Sequence, residues 1–287
     1  MAPESPTIAI WELGLRLRER RYLLGLTATE SGRLARCTQA HVSEIERGRT
    51  RATKDKLTRL IKAYEFDADE TAELWKLHEH GGQRGWWNKY TGIFSNELLR
   101  FFGYEHGAES VRTYSGGLIP GLLQTEEYIR AVIRGAAPNL RLSEEELRVT
   151  ARKTRQQRLA GDDPLHLTAV ISEATLRQRV GGIAVLHGQL EHLMTLMEQH
   201  SENLDVRVIP FTAGGFDALD GSSFHLVGFA SPRLPTLAWQ ETITSTALID
   251  HTMTVREYTL AYHQAEERAL DREESLRLIR DAAKELS

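Results

Sequence analysis

The chain has 287 residues, about twice the commonest single-domain length, which leads us to expect two domains. Its 41% hydrophobic and 26% charged residues, with only 8 Pro and 22 Gly, are an ordinary globular composition and exclude disordered, collagen-like and low-complexity classes. The net charge of -4 is unevenly spread: Leu13 to Lys62 carries 13 Lys plus Arg against 5 Asp plus Glu, a net of +8, and the rest of the chain is at -12. A compact basic segment joined to an acidic body is the electrostatic footprint of a small DNA-reading domain, although a solvated, charge-laced helix pair would look similar.

Residues 1–12 read as an N-terminal tail without the basic start, apolar stretch and cleavage site of an export signal. Leu13, Leu17 and Leu24 then recur at helical spacing up to Gly25, which stops a first helix. Thr27 with Glu30 forms a capping box that opens a second helix, ending near Ala35. Thr38 caps a third, Gln39 to about Arg47, with Val42 and Ile45 facing inward and Gly48 ending it. Thr53 caps a fourth, whose Leu57, Leu60, Ile61 and Tyr64 close a compact bundle. Two short helices joined by a tight turn within a basic bundle are the layout that places a recognition helix in the DNA major groove.

The stretch GLTATESGRLARCTQAHVSEIERGR resembles the Cro/CI-type (XRE-like) helix-turn-helix of bacterial repressors, gap-free from Gly25 to Gly48. It departs at Arg20 and Ser31, where leucines are usual, and at Arg36, where the turn usually has glycine; Gly32 keeps the small residue that lets the two helices approach. The resemblance implies a DNA-binding domain over 13–66, with Thr38, Gln39, Ala40, His41 and Glu44 facing base edges. The Gln39 amide can donate and accept at once, matching adenine N6 and N7, whereas His41 is placed either to donate to guanine or to lie along a phosphate. Thr27, Ser43, Arg47, Arg49 and Arg51 would hold phosphates and fix register. Cys37, in a slot that normally takes an apolar residue, reads as a small core hydrophobe. As the sole cysteine it permits no internal disulfide or cysteine-rich zinc site and fits a reducing cytoplasm.

Residues 67–104 read as a connector. Asp67 with Glu70 caps a helix to His80, and GGQRGWWNKYTGIFS forms an aromatic junction, the alternative being a single-strand binding platform. In 105–287, Thr125 caps TEEYIRAVIRG, Ser143 with Glu146 boxes a long charged helix, and Ser172 opens EATLRQRV up to Gly181 and Gly182. LHLTAVI, LDVRVIPF, SSFHLVGF and the region of TLAWQ read as strands, and helices from Val255 to Ala269 and Arg272 to Leu286 end the chain. The expected fold is multi-domain: an all-α helix-turn-helix bundle followed by an α+β domain with a small, mostly antiparallel sheet.

The ordered marks YSGGLIPGLLQTEEYIRAVI, ISEATLRQRVGG, GQLEHL, VRVIPFTAGG and SSFHLVGF resemble a C-terminal domain of uncharacterised activity that follows such helix-turn-helix domains in bacteria with complex development. Its proteins are described as antitoxin-like regulators, often encoded beside a small acidic partner protein. Asp217 departs from the small or imidazole-bearing residue common in that loop.

No catalytic constellation, phosphate loop or dinucleotide fingerprint is found, and no cofactor is expected. His187 and His192, five apart, fall on different parts of a helix and are not read as a metal site. Glu173 and Arg177 read as an i,i+4 surface ion pair or, alternatively, as part of an effector pocket with Gln124, Phe211, Phe224 and Glu241.

The expected function is therefore a cytoplasmic, non-enzymatic transcriptional regulator, by default a repressor, that reads an inverted repeat in double-stranded DNA as a homodimer. Its C-terminal domain, 105–287, would dimerise and sense a small-molecule effector or partner. The alternatives are an antitoxin-like protein acting mainly on a small acidic partner, and an enzyme fused to a DNA anchor. No membrane partner is expected.

Overall fold

The computed structural model describes residues 2–136, 141–219, 221–242 and 245–286. The chain divides into two compact units, one spanning Glu4–Lys89 and the other running from Tyr90 to the C-terminal end together with residues 1–3.

The first unit is built from α1 (Pro6–Leu23), α2 (Ala28–Leu34), α3 (Gln39–Glu46), α4 (Lys54–Ala63) and α5 (Ala68–His80). Side-chain oxygens of Ser5, Thr27, Thr38, Thr53 and Asp67 cap their N-termini, and Thr27–Glu30 and Asp67–Glu70 form complete capping boxes. Leu17, Leu57, Leu60, Tyr64 and Leu74 are fully enclosed at its centre.

Two expectations are corrected. Residues 1–12 are not a tail: Ser5 caps and Pro6 starts α1, because proline lacks only an amide that the first helical turn leaves unbonded. Trp11 is 1% exposed and lies against Gly48, where a Cβ would come within 2.5 Å of the Trp11 Cα. The bundle also does not end at residue 66. Helix α5 belongs to it, tied to α1 by Arg16 Nη1 and Glu73 Oε2 at 2.6 Å.

The second unit comprises α6 (Asn96–His106), β1 (Ser110–Ser115), α7 (Glu126–Ala136), α8 (Leu142–Gln156), β2 (His166–Ser172), α9 (Ala174–Arg177) and α10 (Ile183–Gln199), followed by β3 (Leu204–Ile209), β4 (Phe224–Gly228), β5 (Leu237–Glu241), β6 (Thr246–Ile249), α11 (Thr252–Arg268) and α12 (Arg272–Lys284). The strands form one six-stranded sheet in the order β3-β2-β1-β4-β5-β6. The sheet is mixed, not the small, mostly antiparallel one expected: β1/β2 and β2/β3 are parallel, and β1/β4, β4/β5 and β5/β6 antiparallel. The parallel pairs follow from their connections, since α7 with α8 and α9 with α10 supply the long crossovers that parallel neighbours need.

The anticipated Ser143–Glu146 capping box is also absent. Helix α8 begins two residues earlier than that box requires, at Leu142, with Arg141 at the N-cap position and no side-chain cap. The Glu146 carboxylate is instead drawn to Arg130 Nη1 at 2.5 Å, and Glu145 to Arg130 and Arg134 at 3.2 and 2.9 Å. By contrast, Thr125 makes its expected cap to Tyr128 N at 3.2 Å, whereas Ser172 ends β2 and the N-cap position of α9 falls to Glu173, which makes no side-chain cap; the Ser172 hydroxyl accepts from Ala174 N at 3.2 Å.

Alternation along the strands sends Tyr114, Val170, Phe224 and Leu226 to a core beneath Val255 and Tyr262 of α11. Val111, Thr113, His225 and Trp239 point to the opposite face, beneath α6 and α8. Among the described residues no helix is long and apolar enough to cross a membrane.

Candidate nucleic-acid interface

Burial of Val42 and Ile45 fixes the rotation of α3, leaving Thr38, Gln39 and Ala40 exposed and His41, Ser43 and Glu44 half-exposed. The turn before α3 is tight. A Cβ on Gly32 would meet Cys37 O at 2.7 Å and Gln39 N at 3.2 Å, so only glycine lets α2 lie this close. Arg36, with φ of 54°, adopts the left-handed conformation that glycine takes at lower cost. Arg20, the other charged departure, donates to Tyr64 O at 2.9 Å and Glu65 O at 2.6 Å, closing the C-terminus of α4. Cys37 packs at the edge of the core, and burial raises the pKa of its thiol.

A second device is not legible from periodicity. Arg21 of α1 grips Glu46 of α3 with Nε–Oε1 at 2.7 Å and Nη2–Oε2 at 2.8 Å, both side chains under a tenth exposed. Arg21 also donates to Leu26 O at 3.0 Å, and the Tyr64 hydroxyl lies 3.4 Å from Glu46. The Glu46 bonds outweigh the cost of burial, so the guanidinium pKa rises well above its ordinary value. A bidentate pair of this kind locks α3 to α1 and sets its angle.

On the exposed face, Thr29 of α2 donates to Gln39 Oε1 at 3.2 Å, which orients the amide and leaves its NH2 pointing outward. The Lys56 ammonium lies 2.9 Å from His41 Nε2 and can only donate, so that nitrogen accepts and Nδ1 carries the proton. Glu44 draws Arg49 to 3.4 Å and Arg47 to 3.9 Å. Thr27 is occupied by its capping box. Arg51, also exposed, donates to His78 O at 3.0 Å and lies 3.2 Å from His78 Nδ1 at the end of α5. Thr29 and Lys56 were missed, and the signal was there: both sit on helices flanking α3, within the same basic segment.

Of the junction's aromatic residues, Trp87 and Tyr90 are buried, at 4% and 0% exposed, and Trp86 and Phe94 are half-buried, which leaves little of the open ring surface a single-strand platform uses.

The structure does not gather the six anticipated effector residues. Gln124 and Glu241 line a cavity of about 190 Å³ between α6, α8 and the sheet. Glu173 instead pairs with Arg177 at 3.2 Å and accepts from Phe211 N at 2.9 Å, while Arg177 also pairs with Glu285. Phe224 belongs to the core on the opposite face of the sheet. The residues that do line the cavity beside Gln124, namely Arg152, Arg155 and His225, were missed because they come from α8 and β4, far apart in sequence. Among the described residues no group of His, Cys, Asp or Glu is arranged to hold a metal.

Two family profiles match the chain. One, described as a helix-turn-helix domain, covers residues 12–74. The other, described as a domain of unknown function (DUF5753), covers residues 98–281. No curated protein and no solved structure matches the chain.

Proposed function

The chain belongs to the DUF5753 family and carries a helix-turn-helix domain ahead of that region, and from this premise we propose that it is a sequence-specific, DNA-binding transcriptional regulator. The observation that carries the reading is the solvent-facing side of α3. There Gln39, His41 and Glu44 stand outward on a helix fixed by the Arg21–Glu46 pair and are flanked by Arg47, Arg49 and Lys56. Gln39 reads adenine through its outward NH2 and remaining acceptor capacity. Arg47 and Arg49 hold phosphates, and Lys56 adds charge beside His41. The protein acts in the cytoplasm as a homodimer on half-sites about 34 Å apart, represses by default, and receives a signal through its second unit.

The test is retention of sheared genomic DNA by the full chain at two salt concentrations, with sequencing of what is kept, alongside a Gln39→Ala, His41→Ala variant. A short inverted repeat, lost in the variant and weakened steeply by salt as counterions are released, is the expected outcome. Retention without a shared motif, or unchanged in the variant, overturns base reading by α3. Retention only in company with a co-purifying small protein favours the antitoxin-like alternative.

A further inference from the structure

The cavity in the second unit places positive charge where a protein seldom leaves it. Arg152 of α8 donates to Gln124 Oε1 at 2.9 Å, a neutral partner, and no carboxylate among the described residues comes within ion-pair distance of it. One helical turn on, Arg155 spends Nε and Nη2 on Glu105 at 2.6 and 2.7 Å, leaving Nη1 outside that pair. The two guanidiniums converge. A Cβ built on Gly121 would lie 3.7 Å from Arg152 Nε and 3.7 Å from Arg155 Nη1, so both edges border the space that glycine leaves open. Burial and the neighbouring Arg155 pull the Arg152 pKa down to about 10, more than Glu241 and Glu105 restore from beyond ion-pair distance.

The remaining walls define what fits. Phe101 stacks on Trp239 with ring centres 4.7 Å apart and on His225 at 5.5 Å, giving an apolar floor continued by Ile119 and Leu122. His225 is kept neutral, its pKa lowered to about 4 chiefly by burial, so it adds no charge. Glu105 pairs with Arg155, and Glu241, which also lines the cavity, draws on both guanidiniums without forming an ion pair with either, so Arg152 keeps its donors open but the site carries little net charge. A doubly charged phosphate would face the Glu105 and Glu241 carboxylates, whereas a monocarboxylate brings the least negative charge and matches the planar fork of a guanidinium. The volume, about 190 Å³, is below the roughly 300 Å³ typical of drug-sized pockets.

We propose that this cavity is a binding site for a small monocarboxylate with an apolar body, its carboxylate received by Arg152 and the Nη1 edge of Arg155 and its body resting against Trp239 and Ile119. The proposal rests on the reading of the second unit as signal-receiving only for its regulatory consequence, not for the binding itself.

The test is calorimetry and thermal shift on the full chain without DNA, using benzoate and hexanoate as probes, their neutral amides as controls, and phenyl phosphate as the competing anion class. Either carboxylate is expected to bind and raise the Tm, with the matching amide and phenyl phosphate at least tenfold weaker. Arg152→Gln is expected to weaken binding at least tenfold. Gly121→Val, which fills the space between the guanidiniums at a position whose φ is not in the left-handed region, should abolish it. Two substitutions on different elements guard against a loss caused by misfolding, provided each keeps the wild-type Tm without ligand.

Equal binding of amide and carboxylate, a preference for phenyl phosphate, undiminished binding by Arg152→Gln, or no binding of either carboxylate at millimolar concentration overturns the proposal. Carboxylate binding that leaves operator affinity unchanged supports the site and overturns its role as a signal receiver.

Discussion

Two arginines, one buried in the first unit and one half-buried in the second, show what a half-finished charge means. Arg21 has its charge met directly: a bidentate carboxylate takes Nε and Nη2, a backbone carbonyl takes Nη1, and its pKa rises. Arg152 has an amide where Arg21 has a carboxylate, faces a cavity, and its pKa falls. The first arrangement suits the base-reading role proposed for α3, because a bidentate pair leaves little freedom between α1 and α3. The second is costly unless something completes it. The contrast thus separates an arginine that holds structure from one that is available to a ligand.

The sharpest way to break this comparison is to remove each partner in turn. Glu46→Ala leaves Arg21 buried and unpaired and is expected to destabilise the first unit by about 3–5 kcal/mol, measured by urea unfolding followed through Trp11 and Trp75 fluorescence. A cost below about 1 kcal/mol would mean that the pair is no more than a surface-like contact.

Acid provides the next test. Burial lowers the pKa of His106, His192 and His225 in the second unit and of His78 in the first. Unfolded imidazoles titrate near 6.5, so below that pH the unfolded chain binds protons that the folded chain refuses. The stability these groups contribute is complete above about pH 6.5 and is lost as pH falls toward the folded pKa, about 4 for His225. Each group contributes up to about 1.4 kcal/mol per pH unit within its window. Hydrogen exchange at pH 7 and pH 5 should therefore show the second unit losing more protection than the first. Equal losses would remove the distinction.

A smaller effect is expected from Arg152→Gln without ligand. Relief of an uncompensated cation opposes the loss of the bond to Gln124, so stability should change by no more than about 1 kcal/mol. A loss of several kcal/mol in chemical denaturation would instead make Arg152 a structural residue like Arg21.

The units also differ in how much of them could be read from sequence. In the first, the signals are local. Threonine and aspartate caps, a glutamate three residues on and apolar spacing locate α2 to α5, because each depends on side chains within one helical turn. What escaped were contacts across the bundle: Arg21 with Glu46, 25 residues apart, and Trp11 against Gly48.

In the second unit the deciding contacts are mostly distant. Strand β1, central in the sheet, is the polar-looking SVRTYS and was not read as a strand, so neither its parallel bond to β2 nor the mixed topology could follow. The Ser143 box failed because Arg130, on another helix, competes for Glu146. The anticipated pocket scattered because strand alternation sends Phe224 and His225 to opposite faces, a parity that cannot be set before the register is known.

Arg36 carries the smallest expected effect, and the one that bears most directly on the reading head. At φ of 54° it holds a left-handed turn at a cost of about 1–2 kcal/mol that glycine avoids, while glycine gives back about 0.4–1 kcal/mol through a freer unfolded chain. Arg36→Gly should therefore stabilise the first unit by up to about 1 kcal/mol. Glu65, also at φ of 54° but in the turn after α4, makes the control. If the strain is only structural, Arg36→Gly and Glu65→Gly raise the Tm alike and leave DNA affinity alike. If Arg36 also faces phosphate, its removal raises the Tm yet weakens binding and makes the log–log salt slope shallower by about one unit, as the loss of one counterion-releasing contact requires. The second outcome would explain why a charged side chain stands in a turn that glycine fits better.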